Sequence, residues 1–463
     1  MNANRIPHLF TLGVLSLLGT TVLLRPSSVK SQATPPALNV VDAPNSTGIS
    51  RTRTTAAAFD YTNPFFKPLG SNARSCATCH PVSQGMMITS EYTERTFNET
   101  DGLDPIFLAD GVDNPNADMS TLEARRANTV MIRTKGLIRV GFPIPAAGEF
   151  TLVAVDDPYG YANTNDISCF RRPLPSSNLR FIPTVMWDGR ERPAGRSLHD
   201  ALASQVRSAV FTHMQGTVAP SAETVEKIIN FETKIFTSQI YDNGAGALNT
   251  PNIGAGPSAL IDLIYYPTIN NAFGLDIFGY RFDPIVFSFF IDWRSIHPNT
   301  TNVQKQYRLS VARGEKIFTT KRFFITGVAG LNDVVGKAKI KGTCSTCHST
   351  PGVGSNSLPY LMNTGIADAS RRTPDMPLYT LKNKRTGATV QTTDPGIALT
   401  SGKWKDIGKF KVPNLRGIET QSPYMHNGFS GDVGDIAEFY DSRFSIGLTD
   451  QEKADLKAFI QTL

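Results

Sequence analysis

Cys76-Ala77-Thr78-Cys79-His80 and Cys344-Ser345-Thr346-Cys347-His348 repeat one arrangement: two thiols separated by two residues, with an imidazole on the very next position. Four cysteines in an exported chain could close two disulfides, and a Cys-x-x-Cys pair can also serve zinc or dithiol redox chemistry. The histidine that follows each pair favours another chemistry. Each thiol can add across one vinyl group of a haem, and the two-residue gap matches adjacent vinyls around the macrocycle. The next imidazole then reaches the iron from the proximal face. Each motif is thus an anchor and an axial ligand at once. The chain is expected to carry two covalently bound haem c groups, one on Cys76, Cys79 and His80, the other on Cys344, Cys347 and His348. Cys169, the fifth cysteine, stands alone.

The flanks of the motifs indicate what positions them. Asn63-Pro-Phe-Phe-Lys-Pro-Leu-Gly70 closely precedes the first, and Ala312-Arg-Gly-Glu-Lys-Ile-Phe318 reads as a short amphipathic helix ahead of the second. Thr449 with Glu452 forms a capping box, and Leu456, Phe459, Ile460 and Leu463 give the helix that follows one apolar face. Leu198 to Ser208 and Ser221 to Ile240 have helical spacing of apolar residues, Gly244 to Gly256 reads as loop, and the Ser/Thr/Pro/Asn-rich stretch Val41 to Thr55 as a flexible leader. So long an insert between the motifs exceeds what electron transfer alone requires.

The N-terminus has the marks of an export signal: Arg5, the apolar run Phe10 to Leu24, and small residues at Ser31-Gln32-Ala33, with cleavage expected after Ala33. No other stretch is apolar enough to span a bilayer, so no stable membrane span is expected after processing. The net charge is +6, and Arg5, Arg25 and Lys30 supply three of it, leaving +3 on the processed chain. Haem propionates would bring that near zero. With no basic run interleaved with aromatics, nothing points to nucleic acid.

The segments Ser75-Cys-Ala-Thr-Cys-His80, Met186-Trp-Asp-Gly-Arg190, the second CxxCH, Val412-Pro-Asn-Leu-Arg-Gly417, Ser422-Pro-Tyr-Met-His-Asn-Gly428 and the last helix occur in this order across residues 57–463. In this the chain resembles the bacterial dihaem cytochrome c peroxidase/MauG superfamily. The resemblance implies that the C-terminal haem transfers electrons, the N-terminal haem meets peroxide, and Trp187 lies between them; a plain buried core tryptophan is the competing reading. Where typical peroxidases cap the peroxidatic iron with a histidine, this chain has Thr96, which implies an open iron, as in MauG. Counting from His426, the position of the second ligand on the C-terminal haem falls on Tyr440, where peroxidases have Met and MauG has Tyr. Met425 is the competing ligand, and an ordinary helix aromatic the third reading of Tyr440. In the helix after Trp-Asp-Gly-Arg, His213 falls where the relatives carry an acidic residue. It could move a proton at bound peroxide, ligate the iron, or lie on the surface. Gln205 could supply the relatives' amide, and His199 reads as surface. Arg416 matches an arginine near the C-terminal haem, paired with a propionate. The family also has calcium between its domains. Here Arg172, or a neighbour, stands where its Asn ligand belongs, while the carbonyls near Gln421 and Pro423 are retained.

The expected fold is mainly α, with two cytochrome c-like haem domains facing each other and long irregular loops and insertions. The expected boundaries are a signal peptide at 1–33, a flexible leader at 34–56, an N-terminal peroxidatic haem domain at 57–305 and a C-terminal electron-transfer haem domain at 306–463. The expected function is peroxide activation by an exported oxidoreductase of the periplasm or an equivalent compartment. Its reductant would be a small cytochrome c or cupredoxin, or an organic or protein substrate. A pure electron-transfer dihaem cytochrome and a dihaem oxygenase of an apolar substrate are the alternatives.

Overall fold

Helix Leu198–Thr212 begins where Ser197 Oγ accepts the Asp200 N–H (3.1 Å) while the Asp200 carboxylate accepts the Ser197 N–H (3.1 Å), which satisfies two of the first-turn donors reciprocally. Ala201, Leu202, Val206 and Val210 form its buried face. Helix Ala222–Glu232 follows, capped by Ser221, and buries Val225, Ile228 and Ile229 against it, together with Phe59 and Phe65 from the segment leading to the first CxxCH. These contacts fix the floor on which Cys76–His80 sits. The computed structural model describes residues 38–108, 111–191, 197–250, 253–349, 352–353 and 360–463. The expected signal peptide at 1–33 lies outside the described residues.

The second motif has its own frame. Helix Val303–Thr320 crosses helix Asp450–Ile460, with Val311, Ala312 and Phe318 packed against Leu456 and Phe459. The terminal helix starts at the expected capping box, Thr449 Oγ1 accepting the Glu452 N–H and the Glu452 carboxylate the Thr449 N–H. Arg313 locks the crossing through Asp455 (2.7 Å).

The expectation of a mainly α chain is corrected by the structure, which is mixed α/β, with 33% helix and 17% strand among the described residues. The strands lie in stretches whose sequence suggested irregular insertions or a leader. Val40–Asn45, Gly48–Thr54, Ile235–Asp242 and Gly246–Ala247 form an antiparallel sheet in that order, with Gly48 opposite Asp242 and Thr54 opposite Ile235. The stretch 41–55 is therefore two strands rather than a flexible leader. Its alternation was hidden because the buried face is built of Ser50, Thr52 and Thr54, whose hydroxyls bond Gln239, Thr237 and the Ala56 N–H respectively instead of packing as hydrocarbon. The helical reading of Ser221 to Ile240 likewise stops at Glu232, and Ile235–Asp242 is the central strand of this sheet, buried on both faces at nearly every position.

A second sheet has the order Thr389–Thr392, Leu378–Asn383, Phe150–Asp156. Ile138–Pro143 pairs with Asp166–Arg171, and Phe323–Thr326 with Lys339–Gly342. The segment between the CxxCH motifs and the segment after the second thus complete one another's sheet, and residues 37–463 form one compact unit. Among the described residues no helix is long and apolar enough to cross a membrane.

At the helix crossing a Cβ on Gly314 would stand 1.9 Å from the Asp455 carbonyl oxygen. Gly314→Ala must therefore push the two helices apart at backbone level, and such overpacking costs about 1–3 kcal/mol. The expected outcome is a lower urea midpoint at unchanged slope; an unshifted midpoint would mean that this crossing carries no such constraint.

Candidate functional site

The two CxxCH segments are built alike. Cys76–Cys79 forms a single turn in which Thr78 Oγ1 accepts the Ser75 N–H (3.0 Å), and in Cys344–Thr346 Thr346 Oγ1 accepts the Thr343 N–H (2.9 Å). Each turn closes on its histidine, His80 N–H donating to the Cys76 carbonyl and His348 N–H to that of Cys344. The imidazoles are oriented alike as well. His80 Nδ1 lies 3.1 Å from the Met86 carbonyl and His348 Nδ1 3.0 Å from that of Val353. A carbonyl can only accept, so Nδ1 carries the proton in both rings and Nε2 keeps its lone pair. Burial lowers both histidines to about 4, so both rings are neutral at physiological pH. Met86 (φ 67°) and Val353 (φ 54°), which supply the two carbonyls, both lie in the left-handed region. There a side chain costs about 1–2 kcal/mol. Nothing in the sequence announces either position. No disulfide joins any of the cysteines among the described residues, and burial raises the Cys169 thiol, within strand Asp166–Arg171, well above its ordinary value.

Each motif opens onto a cavity. The first, of about 190 Å³, is lined by Cys76, Cys79 and His80 together with Gln205, His213 and Glu232. The second, of about 160 Å³, holds Cys344, Cys347 and His348 with Tyr440 and Met425. Trp187, Arg172, Pro173, Pro413, Asn414 and Gln421 line both cavities. Trp187 is thus a wall common to the two chambers. It is 9% exposed, its Nε1–H donates to the Arg172 carbonyl (2.8 Å), and its own carbonyl accepts the Lys411 N–H (2.8 Å).

His213 closes helix Leu198–Thr212 as its C-cap, and its carbonyl is held by Asn72 Nδ2 (2.8 Å) and Arg74 Nη1 (3.3 Å), just ahead of the first motif. Gln205, two turns earlier on the same helix, lines the same cavity. His199 is exposed and pairs with Glu226 (2.9 Å). Tyr440 lies on helix Val433–Phe444 between Phe439 and Phe444, and burial pushes its phenol well up. Arg416 lines neither cavity, although its neighbours Asn414 and Leu415 line the second. It is 1% exposed, with Nη2 donating to the Gly254 carbonyl (2.9 Å) and Nε and Nη1 without a hydrogen-bond partner among the described residues.

Sequence reasoning missed several charged groups beneath the cavities. Glu232 is buried and raised to about 7; its signal is a carboxyl on the apolar face of its helix, four positions after Ile228. Lys411 is lowered by burial to about 8, with Nζ donating to the Thr184 carbonyl (3.2 Å). Behind Trp187, Arg171 grips Asp188 (2.6 Å) and, with two nitrogens, Asp394 (2.7 and 2.8 Å). Burial pushes the Asp188 carboxyl up, but Arg171 and Arg190 outweigh it and hold it at about 2. His426 stacks on Phe410 (4.1 Å) and meets Trp187 edge to face (6.1 Å).

No family model matches the chain. It is 31% identical over 143 residues to cytochrome-c peroxidase IdrP1 of Denitromonas iodatirespirans, and 30% identical over 143 residues to IdrP1 of Pseudomonas sp. (strain SCT). Its curated relatives are cytochrome c peroxidases. Each of these matches takes in 27% of this chain, which spans only 37% of the length of the relative. Two solved structures are similar over larger shares. A MauG-like protein associated with microbial copper homeostasis is 17% identical, with 63% of this chain and 73% of that one covered (TM-score 0.32). Hydrazine synthase of Kuenenia stuttgartiensis is 14% identical, with 79% and 88% covered (TM-score 0.27). The peroxidase relatives accord with the superfamily that the motifs resemble, and they imply c-type haem.

The residues at both motifs fit that group: cysteine thiols outside any disulfide on the cavity wall and a neutral imidazole whose Nε2 keeps its lone pair. Calcium fits poorly. The carbonyls of Gln421 and Ser422 already accept hydrogen bonds from Arg172 Nη2 (3.3 and 3.2 Å).

Removing Arg171 would take from buried Asp394 its two-nitrogen counter-charge and leave Asp188 with Arg190 alone (3.1 Å); breaking a buried pair in this way typically costs about 3–5 kcal/mol. In the intact protein Asp188 sits below its ordinary value of 3.8, so its contribution is present above that pH and lost as pH falls towards 2. In Arg171→Met, Arg190 still faces Asp188, but burial is the largest influence left on Asp394 and raises it, so acidification neutralises that carboxylate and relieves the fold. The stability gap between the two proteins, measured by urea denaturation, should narrow from pH 7 to pH 5. A constant gap would argue against an electrostatic origin.

Proposed function

We propose that the chain is an exported dihaem c-type oxidoreductase of the periplasm or an equivalent compartment that reduces hydrogen peroxide. In this reading residues 57–305 provide the peroxidatic haem site and residues 306–463 the electron-transfer site. Electrons come from a small cytochrome c or cupredoxin, or from an organic or protein substrate. The observation that carries it is Trp187, a wall of both the cavity at His80 and the cavity at His348. Two electron-carrying centres held on either side of one buried indole suit relay better than isolated storage.

When bound, haem supplies iron redox chemistry to each cavity. Cys76, Cys79, Cys344 and Cys347 would hold the two groups through thioethers, with His80 and His348 as axial ligands. Met86 and Val353, by accepting Nδ1–H, fix ring orientation and make Nε2 the better donor. Tyr440 would reach the second group as a hard phenolate donor, which favours ferric iron, and Arg416 would meet a propionate. In the first cavity His213 is the proton carrier. Its imidazole takes a proton from one peroxide oxygen and returns it to the other, with Gln205 orienting the peroxide through its amide. The fixing of the His213 backbone by Asn72 and Arg74 keeps that imidazole registered to the first motif.

Pyridine haemochrome analysis should give two haems per chain, resistant to acidic acetone; one, or extractable haem, would overturn the reading. Peroxide should be consumed by the oxidised protein without prior reduction. His213→Ala should slow that consumption by roughly a hundredfold to ten-thousandfold. If the substitution instead converts a low-spin iron to high-spin, His213 is a ligand and the proton role fails. Tyr440→Phe should alter only the low-spin signal in electron paramagnetic resonance, and an unchanged spectrum would pass the assignment to Met425.

A further inference from the structure

Arg171 and Arg172 are adjacent, both almost fully buried, and satisfied by opposite chemistry. Arg171 is ringed by carboxylates. Arg172 meets only backbone oxygens: Nη1 donates to the Lys135 carbonyl (2.8 Å), and Nη2 to those of Ile88 (3.0 Å), Gln421 (3.3 Å) and Ser422 (3.2 Å). A cluster of neutral carbonyl oxygens around a positive charge is the shell that a hard divalent cation selects. The four carbonyls also come from three separate parts of the chain. Ile88 follows the first CxxCH, Lys135 ends helix Val130–Lys135, and Gln421 and Ser422 follow the second CxxCH by a long stretch. The chain makes room for this group. Gly136 is left-handed (φ 57°), and a Cβ there would stand 1.9 Å from Arg172 Nη1.

We infer that the Arg172 guanidinium is this protein's built-in substitute for an interdomain metal ion, tying the walls of both cavities together without calcium. The four carbonyl oxygens all turn on one fixed positive charge. A carbonyl cluster left without its cation would invite a divalent ion, and the same cluster holding a fixed guanidinium excludes one by charge and by volume. Arg172 lines both cavities, its carbonyl accepts the Trp187 indole N–H, and its own N–H donates to the His426 carbonyl (2.7 Å). It is therefore a positioning residue for Trp187. This inference stands on the carbonyl shell and does not depend on what reacts in either cavity.

The test is calcium titration calorimetry and thermal melting of the full haem-loaded chain, wild type and Arg172→Asn, in EGTA and in excess calcium chloride. The wild type should give no binding heat and one melting midpoint in both. Arg172→Asn, with its shorter neutral amide, should melt lower in EGTA by about 5 °C or more, and calcium should bind it and restore at least about half of the loss. A purely structural arginine would show no such rescue. Wild-type protein that binds calcium stoichiometrically and melts lower in EGTA overturns the inference whatever the variants do. So does an Arg172→Asn protein that is destabilised and indifferent to calcium. Should Arg172→Asn fail to accumulate, the wild-type titration still decides. Arg172→Lys, a cation without the fork, should melt between the two and remain blind to calcium; calcium binding to it would equally overturn the inference.

Discussion

Burying an unpaired charge is among the most expensive placements a fold can make, and this one buries two guanidinium groups side by side. The centre of the molecule is organised by the two different answers to that cost. Arg171 draws Asp188 and Asp394 behind Trp187, so the Met186-Trp-Asp-Gly-Arg190 turn is pinned by charge. Arg172 draws the backbone of three distant segments onto itself, and its own carbonyl fixes the indole from the front. Trp187 is consequently held by main-chain bonds at both ends and by an ionic lattice beneath. The wall between the two cavities is therefore rigid, although the chain around it is rich in loops.

The same economy governs the two histidines. Each is buried, neutral and oriented by one carbonyl, and in each case that carbonyl belongs to a residue in the left-handed region. Strain in two short loops is exchanged for two imidazoles that present the same nitrogen to their cavities. The proposed division of labour between the cavities then rests on what faces those nitrogens: His213 and Gln205 in one, Tyr440 in the other.

Much of this centre was legible in the sequence, because its residues are rare types at rigid spacings. The CxxCH motifs, Trp187 and the terminal capping box need no tertiary information to be recognised. Gln205, His213 and Trp187 were placed at the first site, and Tyr440 and Met425 at the second, by resemblance to the superfamily, and they line the corresponding cavities. What stayed hidden depends on partners far along the chain. The strands Val40–Asn45 and Gly48–Thr54 look disordered by composition because their inner face is hydroxyl rather than hydrocarbon, and only Thr237 and Gln239 make that face burial-worthy. Ile235–Asp242 carries apolar residues that suit a helix as well as a buried strand. Arg172 read only as a departure from a calcium ligand, since nothing local shows that four carbonyls converge on its side chain.

The pairing of Phe150–Asp156 with Leu378–Asn383 has a consequence for biogenesis. A sheet whose strands lie so far apart in the chain cannot close until nearly all of it is available, and loop-closure entropy makes such pairings late and slow. The first CxxCH therefore emerges well before the partner strand that completes the fold around its half. For a chain threaded outward from its N-terminus, this leaves an interval in which the first thiols are accessible to a modifying enzyme while the second have yet to appear. The topology thus allows the first motif to be loaded before the second, should both carry the proposed covalent groups.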